Sequence, residues 1–389
     1  MKSRTVWDEE SNRTLAQDLV IWYDEEKRLL PWRENTDPYR VWVSEIMLQQ
    51  TQVVTVIPYF LRFLDWFPTI KDLAEAPEAR ILKAWEGLGY YSRVRNMQIA
   101  AQQIMTEFNG EMSSDLTDIL TLKGIGPYTG GAIASISFNR VEPAIDGNVM
   151  RVYSRLYCLS DDIAKPKSRK VFDAKVRATM SSERPGDFNQ ALMDLGATVC
   201  TPKAPKCEEC PLQKYCESYQ KGTMLDYPVK SKKQKAVPKY YLALAMENKQ
   251  HEYYFKQRPD EGLLRKMWTF PLVEVTKKEY ETYLKNWRHY QEQLISPELL
   301  VAESSEDDLL EKLTEIEQQI IWQTQPLGEV THLFTHLKWH LLICYGRLKP
   351  DFKQELASDE RFLPIEEHQS LSFPKAQQKM IQIMNEKSD

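Results

Sequence analysis

Four cysteines within 17 residues, Cys200, Cys207, Cys210 and Cys216, constrain this 389-residue chain more than any other feature. Their C-x6-C-x2-C-x5-C spacing gathers thiols in one short segment, while Cys158 and Cys344 stand alone. A secreted disulfide framework spreads its cysteines over a whole small domain. Structural zinc usually takes two close pairs or a Cys/His pair. Here there is one C-x2-C pair, and every histidine lies at residue 251 or later. Four thiolates without imidazole suit an iron–sulfur cluster at least as well. The spacing predicts a structural metal centre and leaves zinc and a cluster both open.

Up to about residue 218 the apolar pattern is helical. Leu15, Leu19, Trp22 and Tyr23 recur at three-to-four spacing, as do Trp42, Ile46 and Leu48, and Val149, Val152, Tyr153 and Leu156. Strand signals are sparse there. Residues 1–218 are expected to form an all-α region. Residues 219–238 are basic and punctuated by Pro228 and Pro238, which predicts an inter-domain linker. Beyond it, runs such as Tyr240–Met246 and His340–Tyr345 are β-like, with an acidic helical piece near Glu306 to Gln319. An α+β domain over 239–370 and a polar tail over 371–389 follow from this. No internal repeat is visible.

With 42% hydrophobic and 28% charged residues, extensive disorder is excluded. No run reaches the roughly 18 apolar residues of a membrane helix, and Met1–Glu10 has no apolar core of a secretory signal. A cytoplasmic, membrane-free protein is expected. The net charge of −5 is uneven: residues 151–240 carry 18 Lys and Arg against 10 Asp and Glu. A local +8 is compatible with a phosphate-bearing partner, although a lysine-rich stretch by itself more often marks a solvated surface.

Three local patterns carry chemistry. Leu122-Lys123-Gly124-Ile125-Gly126-Pro127-Tyr128 joins two helical patterns by a glycine turn, with Pro127 at the first helical position. Such a helix start offers backbone N–H groups to a phosphate, yet most such turns are only turns. Asp146 precedes the helical run from Val149 and fits an N-cap, a role compatible with facing a ligand. Glu45 sits among Val41, Trp42, Val43, Ile46, Met47 and Leu48. Were it buried there, its pKa would rise and it would serve as a general acid; otherwise it is a helix-surface carboxylate.

Together these residues resemble the helix–hairpin–helix DNA glycosylases that carry an iron–sulfur cluster, and within them the adenine DNA glycosylases of the MutY type. Carrying the resemblance are Pro31-Trp32-Arg33, Ser44–Val53, Leu88–Arg93, the hairpin, Asp146-Gly147-Asn148-Val149 and the cysteine spacing. It spans nearly the whole chain. It implies a mainly α fold, with residues 1–218 as the helical catalytic region: a six-helix barrel around 30–140 plus an iron–sulfur helical domain built from the N-terminal helix and 141–218. A separate α+β Nudix-like domain follows. It implies a 4Fe–4S cluster on the four cysteines and excision of adenine opposite 8-oxoguanine or guanine in double-stranded DNA by a monomer. Glu45 would protonate the departing base and Asp146 would stabilise the cationic sugar, with Tyr128 and Asn148 in support. Arg28, Leu30, Trp32, Val53 and Gln190 match adenine-pocket positions. Gln50, Thr51, Leu88 and Tyr90 match residues that meet the 8-oxoguanine, and Gly124 and Gly126 those that grip the backbone.

In the second domain, Phe334-Thr335-His336 stands where the family carries Phe-Ser-His against 8-oxoguanine; threonine keeps the hydroxyl and adds a methyl. No Arg-Glu-x-x-Glu-Glu pattern follows Pro271, so pyrophosphate hydrolysis is not expected. The endonuclease III type has a lysine where Tyr128 stands; its amine forms a Schiff base and cuts the strand. A tyrosine cannot, which predicts a monofunctional enzyme. A silent DNA-binding module would have no reason to keep both Glu45 and Asp146.

Overall fold

Side-chain caps start many helices of this chain. Asp8 accepts from the Ser11 N–H, Asp37 from those of Tyr39 and Arg40, Asp115 from that of Thr117, and Thr69 forms a capping box with Asp72. The computed structural model describes residues 8–232, 235–285, 320–349, 356–365, 367 and 371–388. The chain divides into two units, Met1–Lys232 and Lys233–Asp389.

The first unit is helical, with no strand among its described residues. Its helices are α1 (Glu9–Glu26), α2 (Pro38–Leu48), α3 (Val53–Trp66), α4 (Ile70–Glu75), α5 (Glu78–Ala84), α6 (Ser92–Glu107), α7 (Leu116–Thr121), α8 (Pro127–Phe138), α9 (Gly147–Leu156), α10 (Arg169–Thr179), α11 (Pro185–Thr198) and α12 (Glu217–Lys221). Helix α1 packs beside α10 and α11, far along the chain. There Leu15, Leu19 and Tyr23 join Val152, Phe172, Phe188, Leu192 and Tyr215 in one core. Each such side chain contributes about 1.5–3 kcal/mol on burial. Helices α2 to α8 hold further fully buried aromatics, Trp42, Phe60, Phe63 and Trp85. Helix α8 touches both α2 and α11, and so brings two stretches of chain to one place.

The segment expected as a linker from residue 219 is partly structural. The carbonyls of Met224 and Tyr227 accept from the buried Arg155 guanidinium, and the Val229 carbonyl accepts from the Ile163 N–H. A buried guanidinium needs several acceptors, and this backbone supplies them. Residues 219–231 therefore belong to the first unit.

The second unit is built on a sheet of β1 (Val237–Glu247), β2 (Glu252–Gln257), β3 (Trp268–Thr269), β4 (Leu272–Val275), β5 (Ile320–Trp322), β6 (Gly328–Leu333), β7 (Leu337–Leu348) and β8 (Glu360–Pro364). Its spine is the long parallel pair β1–β7, in register from Val237↔Leu337 to Glu247↔Arg347. Alternation along both strands sends Ala243, Ala245, Leu341 and Ile343 to one face and Leu242, Leu244, Leu342 and Cys344 to the other. The second face packs on Tyr280 and Tyr283 of α13 (Lys277–Lys285). The first face is covered by α14 (Lys375–Ser388). That helix corrects the expected tail over 371–389: Phe373, Ala376, Met380, Ile381 and Met384 are buried on the sheet. The acidic piece near Glu306 to Gln319 lies outside the described residues. Among the described residues no helix is long and apolar enough to cross a membrane.

Candidate active site and metal centre

Every side chain of α2 from Val41 to Met47 is buried, so Glu45 has no solvated face to turn to. It is 5% exposed. The helices around it form a cavity of about 170 Å³, far above the roughly 10–15 Å³ that one water requires. Its lining draws Arg28, Leu30, Trp32 and Arg33 from the α1–α2 connection and Thr51 and Val53 from the start of α3. Tyr128, Asp146, Asn148 and Gln190 complete it from α8, α9 and α11. All four expected catalytic residues and all five expected pocket residues thus meet in one cavity.

The Tyr128 hydroxyl donates to Glu45 Oε2 at 2.5 Å. Burial drives the Glu45 pKa up to about 7, against the opposing Tyr128 hydrogen bond and the more distant Arg33 charge; nearby Asp146 pushes in the same direction. Burial also holds the Tyr128 hydroxyl well above its ordinary pKa, which keeps it a donor. Asp146 caps α9: Oδ1 accepts from the Val149 N–H at 2.7 Å and Oδ2 from the Asn148 amide at 2.9 Å. Burial raises its pKa, while these N–H donors and Arg151 oppose the shift. Two carboxylates therefore share a cavity in different settings, one lacking backbone donors and one held at a helix start. Gly196 permits this arrangement, since a Cβ there would lie 2.6 Å from that of Asn148.

Sequence reasoning missed Asp194. It lies four residues after Gln190 on α11, the one signal that places both on the same helix face. Its carboxylate accepts from Arg28 Nε at 2.9 Å and from Arg33 Nη1 at 2.7 Å. Burial pushes its pKa up, but Arg33 and Arg28 together hold it below the ordinary value.

The residues expected to meet DNA lie on separate loops. Gln50 and Tyr90 have positive φ angles, 59° and 49°, which are unusual outside glycine. Tyr90 is 44% exposed, whereas Leu88 is buried here. Gly124 has φ of 83°, and a Cβ there would lie 2.8 Å from that of Asn96, so the hairpin turn requires glycine. Gly126 is the exposed N-cap of α8. Phe334, Thr335 and His336 form the turn between β6 and β7, with the Phe334 ring against Trp339 and His332.

Cys200, Cys207, Cys210 and Cys216 line a single small cavity of about 30 Å³. Four thiols gathered around one shared volume, with no histidine in its lining, are a donor set that fits an iron–sulfur cluster. Arg155 donates to Cys200 Sγ at 3.3 Å and to the Thr201 carbonyl at 2.7 Å, which orients the first of them.

Comparison with known proteins agrees with these features. Residues 43–178 match the family described as HhH-GPD superfamily base excision DNA repair protein, residues 200–216 the iron–sulfur binding domain of endonuclease III, and residues 242–382 the NUDIX domain. A base-excision DNA repair enzyme with an iron–sulfur centre and a Nudix-like C-terminal domain is thereby defined. The adenine DNA glycosylase of Rattus norvegicus is 33% identical over 377 residues, covering 83% of this chain and 68% of the relative. That of Buchnera aphidicola subsp. Baizongia pistaciae is 37% identical over 257 residues, covering 66% and 72%. This chain belongs to the adenine DNA glycosylase family. It is a DNA glycosylase, a hydrolase of N-glycosyl bonds, and it carries a 4Fe–4S cluster.

Proposed function

We propose that the protein acts as a cytoplasmic monomer that excises adenine opposite 8-oxoguanine, or guanine, in duplex DNA without cutting the strand. The observation that carries this reading is the Glu45–Tyr128 pair beside Asp146 in one buried cavity. Adenine is a poor leaving group and departs as a protonated base. With its pKa raised to about 7, Glu45 is largely able to hold and deliver that proton near neutral pH. Tyr128 orients it. As the bond to the base breaks, positive charge grows on the sugar. Asp146, kept in place by Asn148 and the Val149 N–H, supplies the opposing negative charge or traps the sugar until water arrives. The target nucleotide would have to flip out of the helix to reach a carboxyl as deeply buried as Glu45. The pocket residues Arg28, Leu30, Trp32, Val53 and Gln190 would hold the base.

Cys200, Cys207, Cys210 and Cys216 would hold the cluster, which supplies a rigid cross-link for the segment following α11. Gln50, Thr51, Leu88 and Tyr90 would meet the 8-oxoguanine, as would Phe334, Thr335 and His336 of the second unit. Gly124 and Gly126 would present N–H groups to a phosphate. The absence of an amine at position 128 supports a monofunctional reaction. Single-turnover assays on a duplex with one adenine opposite 8-oxoguanine test this, with products resolved before and after alkali. Adenine release with nicking only after alkali is the expected result; nicking without alkali, or no release, overturns the reading.

A further inference from the structure

Arg93, on the first turn of α6, lies outside the lining of the catalytic cavity and is shared among several backbone segments. Its Nη1 donates to the carbonyls of Ile46 at 2.7 Å, Met47 at 3.1 Å and Gln49 at 2.7 Å. Its Nη2 donates to those of Leu88 at 3.4 Å and Gly89 at 3.2 Å. The guanidinium also lies over the rings of Trp85 and Tyr90, 5.4 Å from each centroid. Trp85 in turn donates from its indole to the Gly89 carbonyl at 3.1 Å.

These five acceptors belong to two segments some 40 residues apart. One is the C-terminal end of α2, whose last carbonyls have no partner inside the helix and are met here by a cation, the favourable charge for that end. It carries Glu45 and leads straight into Gln50 and Thr51. The other is the turn bearing Leu88 and Tyr90. On each side of the bridge a non-glycine residue is held at positive φ, Gln50 and Tyr90. Such backbone persists only where its surroundings impose it. A planar fork reaches both segments at once, whereas an ammonium has one centre and cannot span them.

We propose that Arg93 is a positioning residue that sets the two loops meeting the base opposite the target in register with each other. This rests on reading Gln50, Thr51, Leu88 and Tyr90 as the contacts to 8-oxoguanine. Arg93 itself does not line the cavity that holds Glu45. Its effect is therefore on discrimination: a mispair read by both loops gains from their alignment, and one that engages them weakly gains little.

The experiment compares single-turnover adenine release opposite 8-oxoguanine and opposite guanine for the wild type, Arg93→Lys and Arg95→Lys. Arg95 is a buried arginine two residues along α6 that pairs with Glu78 at 2.6 Å, and it reports the cost of losing a buried guanidinium. Arg93→Lys should slow release opposite 8-oxoguanine by about tenfold, as expected for a small misplacement of contacts, with release opposite guanine nearly unchanged. Arg95→Lys should keep the wild-type ratio. Trp85→Phe, which removes the bond to Gly89, should compress the ratio in the same direction and stands in if Arg93→Lys does not fold. Equal loss on both substrates, or an unchanged ratio, overturns the inference. If the wild type itself shows no preference for 8-oxoguanine, the underlying reading fails and this inference falls with it; a wild-type preference retained in Arg93→Lys overturns this inference alone.

Discussion

The two units each bury a carboxylate, and they treat it in opposite ways. In the sheet unit, Glu247 at the end of β1 accepts from Tyr345, lies 2.6 Å from His251 Nδ1 and accepts from Arg347 Nε at 3.0 Å. Burial pushes its pKa up, but these partners bring it below the ordinary value. In the helical unit, Glu45 has a phenol as its hydrogen-bond donor and a second carboxylate nearby, and its pKa rises to about 7. Asp194 shows that the helical unit can also neutralise a buried carboxylate, since two arginines that line the cavity clasp it. A buried acid with cations is structural. One whose hydrogen-bonded partner is a neutral phenol is kept protonatable, at a cost to stability.

The sharpest test of that contrast is Glu45→Gln. Adenine release should fall by about 10²–10⁴-fold, the range for loss of a general acid, measured in single-turnover assays. Activity that survives would remove Glu45 from the chemistry. For the wild type, the sign follows from the carboxyl form being the active one: release should decline as pH rises through about 7. A second limb, on the acid side, belongs to ionisation of Asp146, and the two limbs report the pair rather than either residue alone.

In Glu45→Gln, stability should move opposite to activity. The Glu45 pKa is raised in the fold, so its contribution is fully present below the unfolded value of about 4.5 and is lost as pH rises through about 7. Ionising it inside the fold costs on the order of 3 kcal/mol, so Glu45→Gln should melt higher than wild type at pH 8 and similarly at pH 4. Melting curves at the two pH values check this; a variant less stable at pH 8 breaks the comparison.

Glu247→Gln should give the reverse pattern. Its pKa is depressed in the fold, so its stabilisation exists above the unfolded value and disappears as pH falls through the folded one. A loss of about 1–2 kcal/mol at pH 7, shrinking towards pH 4, is expected because the partners lose a charged acceptor while His251 and Arg347 remain solvated. Denaturant titration reads it, with adenine release otherwise intact. The smallest effect belongs to Asp194→Asn. Freed of its counter-charge, Arg33 would act more strongly on Glu45 and shift the alkaline limb of the rate profile downward by less than about one pH unit. An upward shift would mean that Arg33 does not act on Glu45.

The last helix shows how far pattern reading goes. Ala376, Met380, Ile381 and Met384 follow a helical spacing, but Gln and Lys lie between them and dilute it. Their burial becomes legible only beside the sheet face they cover. The basic stretch after residue 218 reads as linker for a similar reason: its side chains are polar, while its backbone carbonyls satisfy Arg155.

What this sequence determines by itself is local. The cysteine spacing, the glycine turn before Pro127 and the cap at Asp146 each act within a few residues, so their chemistry can be read along the chain. Tertiary structure decided the rest. Tyr128 meets Glu45 across 83 positions and Arg28 meets Asp194 across 166. Arg93 joins two loops that neither touch in sequence nor share a pattern. The pKa of Glu45 is set by how completely water is excluded, a sum over several packed helices that no single segment encodes.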